Sequence, residues 1–453
     1  MRIGQIVVPF VLLALAATTS AADKPNIIYI MLDDAGYGDF GAFGSKQIQT
    51  PNFDRMCKEG TRFTQHYSGS AVCAPTRCVL MTGLHPGHCR RRDNTATAHH
   101  EDFAGRPLVF LKDEDVTVAE ALQEAGYVTG GIGKWGLGNP GTSGEPAKQG
   151  FDHWFGYLDQ VHAHNHYTDW LWEDGDRREI PENANGKKQV YVHDLLEEAT
   201  LKFIRTYQDK AFFLYLAYTL PHGEYVIPHD DPAYAMYADK QLPQRVKEYA
   251  AMVTRADRSV GEILALLEEL KLDEETIVFY TSDNGPNTLF ANRINSGGGL
   301  RGIKRQLYEG GLRAAMAVRW PGKVPAGRTS EFIWSMTDLF PTACELAGVK
   351  APEHLDGMSV APTLLGKEQT PHKHLYWEIH HPFQQAVRMG KWKAIRFGTE
   401  SPVQLYDLNS DSAEKNNVAA AHPDVAKRIS EIMNNSRTES RYWPSVKRPQ
   451  GRR

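Results

Sequence analysis

Asn26-Ile27-Ile28-Tyr29-Ile30-Met31-Leu32, followed at once by Asp33-Asp34, is the stretch on which the reading of this chain turns. A near-continuous apolar run of this kind predicts a strand buried on both faces, as in a parallel sheet, with its polar pair just past the carboxyl end. The layout recurs. Residues 211–218 form a second apolar run closed by Pro221-His222, and residues 276–281 form a third closed by Asp283-Asn284-Gly285. Between the runs, apolar residues recur at helical spacing over 118–124, 194–207 and 246–270. Strands alternating with helices predict an α/β fold with a large, mostly parallel central sheet flanked by helices. In such sheets ligands bind beyond the carboxyl ends of the strands. Asp33, Asp34, His222, Asp283 and Asn284 are therefore expected to converge on one edge.

Past Gly366 the pattern changes to short strand-like pieces at 374–379, 385–389, 392–397 and 405–408, with a helical pattern over 422–433. These predict a small antiparallel sheet with one packed helix. With 453 residues the chain has room for a large core and this smaller unit. Lysine plus arginine is 51 against 55 for aspartate plus glutamate, a net charge of -4, which gives no footprint for nucleic acid. Residues 1–22, with an apolar run from Ile6 to Ala17 and small residues before Ala22, read as a Sec signal peptide. The expected location is periplasmic or extracellular, without a membrane anchor, since no later segment could span a bilayer. The tail from Arg437, with Lys447, Arg448, Arg452 and Arg453, reads as a frayed basic end. The sequence leaves the oligomeric state open.

One short motif carries the chemistry. Cys73-Ala74-Pro75-Thr76-Arg77 fits the pattern C-x-P-x-R, and it lies within the longer stretch Ala71 to Gly83. Gly126-Tyr127-Val128-Thr129-Gly130-Gly131-Ile132-Gly133-Lys134-Trp135 follows about fifty residues on. Both stretches, in this order, resemble the two signatures of the type I, formylglycine-dependent sulfatase family, which includes arylsulfatases and bacterial carbohydrate sulfatases. The resemblance implies an alkaline-phosphatase-like α/β sandwich, a catalytic domain over 23–366 and a C-terminal subdomain with basic tail over 367–453. It also implies that a formylglycine-generating enzyme oxidises Cys73 to an aldehyde. In the hydrated aldehyde one oxygen attacks sulfur, and the other then expels sulfate, an exit that a serine sulfate lacks. Pro75 suits the first turn of a helix, which would put the nucleophile at a helix N-terminus, where unpaired N–H groups favour an anion.

The remaining assignments follow the resemblance residue by residue. Asp33, Asp34, Asp283 and Asn284, with the modified Cys73, form a set of hard oxygen ligands that suits Ca2+, less so Mg2+, and argues against zinc. Arg77, Lys134 and Lys304 would hold the negative charge of the nucleophile and the sulfate. His222 would protonate the leaving alcohol. Where many relatives read G-K-W-H-L-G, this chain has Gly133-Lys134-Trp135-Gly136-Leu137-Gly138, so the histidine that contacts the formylglycine hydrate is missing. A replacement is expected in His162-Ala163-His164-Asn165-His166, with His164 the best match and His85 another candidate. With Cys73 assigned to chemistry, Cys57, Cys78, Cys89 and Cys344 permit one or two disulfides.

The activity implied is hydrolysis of a carbohydrate sulfate ester, with a sulfated saccharide as substrate. Tyr167, Trp170, Trp172, His380, His381 and Phe383 are candidate sugar-binding residues or packing residues. Two other readings are a formylglycine-dependent phosphonate or phosphate diester hydrolase and a secreted glycan-binding protein with an inactive site.

Overall fold

The computed structural model describes residues 24–94 and 109–447. The stretch read as a signal peptide and the last basic residues, Arg448, Arg452 and Arg453, lie outside them. The opening run is the strand Asn26–Leu32, buried along its whole length. It lies inside a ten-stranded sheet whose central five strands, Thr276–Ser282, Asn26–Leu32, Phe212–Ala217, Val128–Lys134 and His153–Tyr157, run parallel in that spatial order. Antiparallel strands extend it at both sides, with Met316–Arg319 beside Thr276–Ser282 and Trp170–Glu173 beside His153–Tyr157.

Successive side chains of a strand point to opposite faces, and the core divides accordingly. Ile28, Ile30 and Leu32 join the helices Val192–Thr206 and Gln244–Glu269 on one face. Ile27, Tyr29 and Met31 join Cys73–Thr82, Val118–Glu124 and Leu339–Leu346 on the other. The expected helices are present, with boundaries shifted by one or two residues at most.

The C-terminal strands Leu375–His380, Phe383–Met389, Trp392–Arg396 and Gln404–Asp407 form a four-stranded antiparallel sheet in sequential order. Helix Pro423–Asn435 covers one face through Ile429 and Met433. Trp377 and Ile395 on the other face pack against Tyr67 and Leu312. Buried Lys393 crosses that junction, 3.0 Å from Glu309 and 3.7 Å from Glu414.

Two of the six candidate sugar-binding or packing residues are packing residues, while Tyr167, Trp170 and Trp172 are partly exposed and His381 is exposed. Phe383 and His380 are buried, and His380 sits 3.0 Å from the Glu378 carboxylate. Trp170 and Trp172 belong to a strand, where Trp170 stacks on His162 and lies under the Arg177 guanidinium. All five cysteines are buried free thiols, so the permitted disulfides are not formed in this structure.

Candidate functional site

The parallel strands end level, and their first loop residues meet. Leu32 pairs with Ser282. The Asp33 amide donates to the Leu220 carbonyl at 3.0 Å and the Asp283 amide to the Leu32 carbonyl at 3.0 Å. These bonds hold the loop bearing His222, the Asp33-Asp34 pair and Asp283-Asn284 together. Asp34 then takes a left-handed backbone, φ 68°, a conformation that costs a non-glycine residue about 1 kcal/mol or more. Its carbonyl accepts from Tyr249 and its amide donates to Asp283 Oδ1 at 2.9 Å.

Cys73 is the first residue of helix Cys73–Thr82 and is buried. Its Sγ, which marks where the hydroxyls of a formylglycine hydrate would stand, is 3.2 Å from Asp33 Oδ1 and 3.3 Å from Lys304 Nζ. Burial, and then the Asp33 carboxylate, push the Cys73 thiol up to about 12. As a cysteine it is therefore a poor nucleophile at neutral pH. One expectation changes here. The Ala74 amide donates to Asn94, the Thr76 amide to the Val72 carbonyl, and Pro75 has none. The positive charge facing position 73 thus comes from side chains more than from unpaired amides.

Those side chains are Lys134, Arg77 and Lys304. Lys134 Nζ lies 2.6 Å from Asp33 Oδ2, and Arg77 Nη2 3.2 Å from the same oxygen. Arg77 also donates to the Lys134 carbonyl at 2.5 Å and to the Tyr215 hydroxyl at 3.3 Å, so the guanidinium is fixed on three sides. Lys304 Nζ spans both Asp34 oxygens at 2.7 and 2.8 Å and reaches His222 Nε2 at 3.1 Å. Burial opposes ionisation of Asp33, yet Lys134, His222 and Arg77 hold its carboxyl well below the usual range. Asp283 goes the other way. Burial and the neighbouring Asp33 and Asp34 charges push it up to about 8.

The donor set fits a hard divalent cation. Asp33 and Asp34 lie with Cys73 and His222 in one cluster tight enough to hold an ion, Asp283 Oδ1 accepts from the Asp34 amide at 2.9 Å, and Asp283 Oδ2 and Asn284 Oδ1 are buried with no hydrogen-bond partner. Unsatisfied oxygens of this kind are costly unless a cation or donor meets them. Asn284 Nδ2 meanwhile donates to Asp34 Oδ1 at 2.8 Å, which fixes which way the amide faces.

Among the histidines, His222 and His164 face one another with ring centroids 4.5 Å apart. Burial first, and then the Lys304 and Lys134 charges, hold His222 down to about 3, against the pull of Asp34. An anionic ester beside it would raise it toward the range where it can give up a proton. His166 is buried, 2.9 Å from the His222 carbonyl, and His162 meets Thr168, so the alternating histidines do not share one ion. His85 stacks on His88 and turns to Asp356, where it is occupied by another cluster.

Comparison with known proteins places this geometry. The profile described as Sulfatase matches residues 25–349. The chain belongs to the sulfatase family. A profile for the N-sulphoglucosamine sulphohydrolase C-terminal region also matches residues 302–439. The sulfatase is 35% identical to N-acetylgalactosamine-6-sulfatase of Canis lupus familiaris over 391 residues, 83% of this chain and 72% of that protein. It is 33% identical to arylsulfatase A of Homo sapiens, covering 93% of this chain and 89% of that protein. Among solved structures, Ps i-CgsB superposes with a TM-score of 0.78 at 30% identity, over 93% of this chain and 95% of that one. The fold is the alkaline-phosphatase-like α/β sandwich that the signatures imply.

Sequence reasoning missed the residues that hold this sulfatase's site from behind. Tyr249 donates to the Asp34 carbonyl at 3.2 Å and also meets the Asp39 carboxylate, while Tyr215 braces Arg77. Both sit in apolar runs of a helix and a strand, where a tyrosine reads as core, and no local signal separates them from packing residues.

Proposed function

We propose that this sulfatase removes sulfate from a carbohydrate sulfate ester, with position 73 as the nucleophile. The observation that carries the reading is the surrounding of Cys73: a buried, non-nucleophilic thiol at a helix start, contacted by Asp33 and Lys304, with Lys134 and Arg77 on the same carboxylate. Conversion to formylglycine would supply two hydroxyls on one carbon for attack and release, and Ca2+ held by Asp33, Asp34, Asp283 and Asn284 would draw charge from a sulfate oxygen.

The chain's own residues do the rest. Asp33 orients the attacking group from 3.2 Å, and Lys304 and Lys134 neutralise sulfate oxygens as charge shifts toward the ester bond. Arg77, fixed by Lys134 and Tyr215, keeps Asp33 ionised and in place. His222 donates a proton to the leaving alcohol, and Lys304, 3.1 Å from its Nε2 and held charged by Asp34, keeps its own positive charge beside it. His164 packs edge-on against His222, ring centroids 4.5 Å apart.

The carbohydrate assignment is supported by relatives. One is named N-acetylgalactosamine-6-sulfatase, and Ps i-CgsB has been crystallised with a neocarrahexaose. We propose export, consistent with a polymeric substrate and with the absence, among the described residues, of any helix long and apolar enough to cross a membrane. The test has two parts. Mass spectrometry of the peptide from Phe63 to Arg77, on protein made with a formylglycine-generating enzyme, should show the aldehyde at position 73. That protein should then release sulfate from sulfated saccharides and leave the matching phosphate esters. Aldehyde-bearing protein that hydrolyses only the phosphorus esters would replace this reading with a phosphonate or phosphate diester hydrolase.

A further inference from the structure

The three cations of the site are carried in different ways. Lys134 ends the strand Val128–Lys134 and Arg77 lies in helix Cys73–Thr82, both within the packed layers of the large sheet. Lys304 has no such support, because residues 295–308 belong to no strand or helix. Yet its Nζ meets both Asp34 oxygens at 2.7 and 2.8 Å, Cys73 Sγ at 3.3 Å and His222 Nε2 at 3.1 Å. Holding a long lysine side chain in one geometry costs conformational entropy, and a loose backbone beneath it would raise that cost.

One side of the Lys304 turn is held by the catalytic layers. The Lys304 amide donates to the Pro286 carbonyl at 3.0 Å, and the Arg305 amide to the carbonyl of Ala71, two residues before Cys73, at 2.9 Å. Arg305 takes a left-handed backbone, φ 73°, which is strained for a residue with a Cβ. The other side is held from the C-terminal sheet. Gln384, on the strand Phe383–Met389 and buried, accepts from the Leu307 amide through Oε1 at 3.3 Å and donates from Nε2 to the Arg305 carbonyl at 3.1 Å. One side-chain amide that meets both an N–H and a C=O can face only one way, so it fixes the path of the chain between them. Arg301, three residues before Lys304, ties the start of the turn to the same unit. It donates to the Glu414 carbonyl at 2.6 Å and to the Tyr406 hydroxyl at 3.2 Å.

We propose that Gln384 is a positioning residue for Lys304, its amide pinning the turn through which Lys304 reaches Asp34 and position 73, so that the C-terminal sheet completes the catalytic site. This rests on the sulfatase reading above, in which Lys304 neutralises sulfate oxygens during transfer. Without Gln384 the amide of buried Leu307 loses its acceptor and the Arg305 carbonyl its donor, and nothing then offsets the strain at Arg305. The turn relaxes, and the ammonium one residue away leaves its place.

The experiment uses full-length protein carrying the aldehyde at position 73, with 4-nitrophenyl sulfate and N-acetylgalactosamine 6-sulfate as probes. Rates are expressed per folded, aldehyde-bearing molecule, counted by thermal unfolding and mass spectrometry, so that lost folding does not imitate the effect. Gln384→Met keeps most of the volume and removes both hydrogen bonds. It should lower kcat by about 10- to 100-fold, as for a misplaced catalytic group, with KM changed by less than about threefold. In a Lys304→Ala background the same substitution should cost under about twofold, because its effect runs through Lys304. Arg301→Met, on the exposed side of the turn, should repeat this pattern with a smaller loss of about 3- to 10-fold, and it carries the test where Gln384→Met does not fold. A kcat within about twofold of the parent, a loss confined to KM, or the full loss repeated in Lys304→Ala overturns the positioning role and leaves the sulfatase reading standing. Aldehyde-bearing parent that releases sulfate from no sulfate ester overturns both.

Discussion

Asp283 links metal binding to pH in a way that can be measured. Burial, with the charges of Asp33 and Asp34, pushes its carboxyl up to about 8. At pH 7 such a group holds about 0.9 proton, whereas an exposed aspartate, titrating near 3.9, holds essentially none. A divalent cation bound among Asp33, Asp34, Asp283 and Asn284 needs the ionised form, so calcium binding should expel about 0.9 proton at pH 7, about 0.5 at pH 8 and about 0.1 at pH 9. The sign for stability follows from the same shift. Without cation the folded pKa lies above the unfolded one, so this contribution is fully present below about pH 4. It is lost as pH rises through about 8, at up to about 1.4 kcal/mol per pH unit. Calcium should remove that slope. The assay is calorimetric titration of calcium into metal-stripped protein at pH 7, in buffers of low and high ionisation enthalpy. Asp283→Asn should bind calcium more weakly and release no proton. Binding heats that do not depend on the buffer, or equal release from Asp283→Asn, would refute the reasoning.

Three further outcomes are expected. His222→Ala should slow hydrolysis of sugar sulfates by about 10²- to 10³-fold but barely affect an aryl sulfate whose leaving group needs no proton; equal losses on both would remove the proton-donor role. Lys393→Met leaves Glu309 and Glu414 buried without their shared cation. A loss of about 3–5 kcal/mol is expected in denaturant unfolding, and a loss under about 1 kcal/mol would show that Arg313, whose Nε donates to Glu309 at 2.7 Å, alone satisfies that carboxylate. His372 is the third case. Burial lowers its pKa, but the Asp338 carboxylate at 2.9 Å more than offsets this and the net shift is upward. The contribution is therefore fully present below about pH 6.5 and lost as pH rises through the raised folded value. His372→Gln should flatten the fall in melting temperature over that window, and an unchanged slope would exclude the pair as its source.

Much of the architecture and site could be read along the chain. Apolar runs ending in Asp33-Asp34, Pro221-His222 and Asp283-Asn284 mark buried parallel strands with polar loops at their carboxyl ends, because a strand covered on both faces is predominantly apolar and its charged residues collect past its end. The stretch from Cys73 to Arg77 and the one ending at Trp135 named the family, since residue types and spacing are local properties. Tertiary structure decided what depends on contact between distant segments. Phe383 and His380 read equally as sugar-binding or packing residues, and the structure settles on packing because burial is set by the layer that covers a strand. Tyr249 and Tyr215 lie within apolar runs, yet brace Asp34 and Arg77 through hydroxyls that only the packed helix and sheet bring within reach. Gly136 read as a missing histidine. Only the packing of the 158–166 loop against the strand end showed that Gln160 fills its place, with Nε2 1.6 Å from where a Cβ at 136 would lie, a fact about volume that no order of residues encodes.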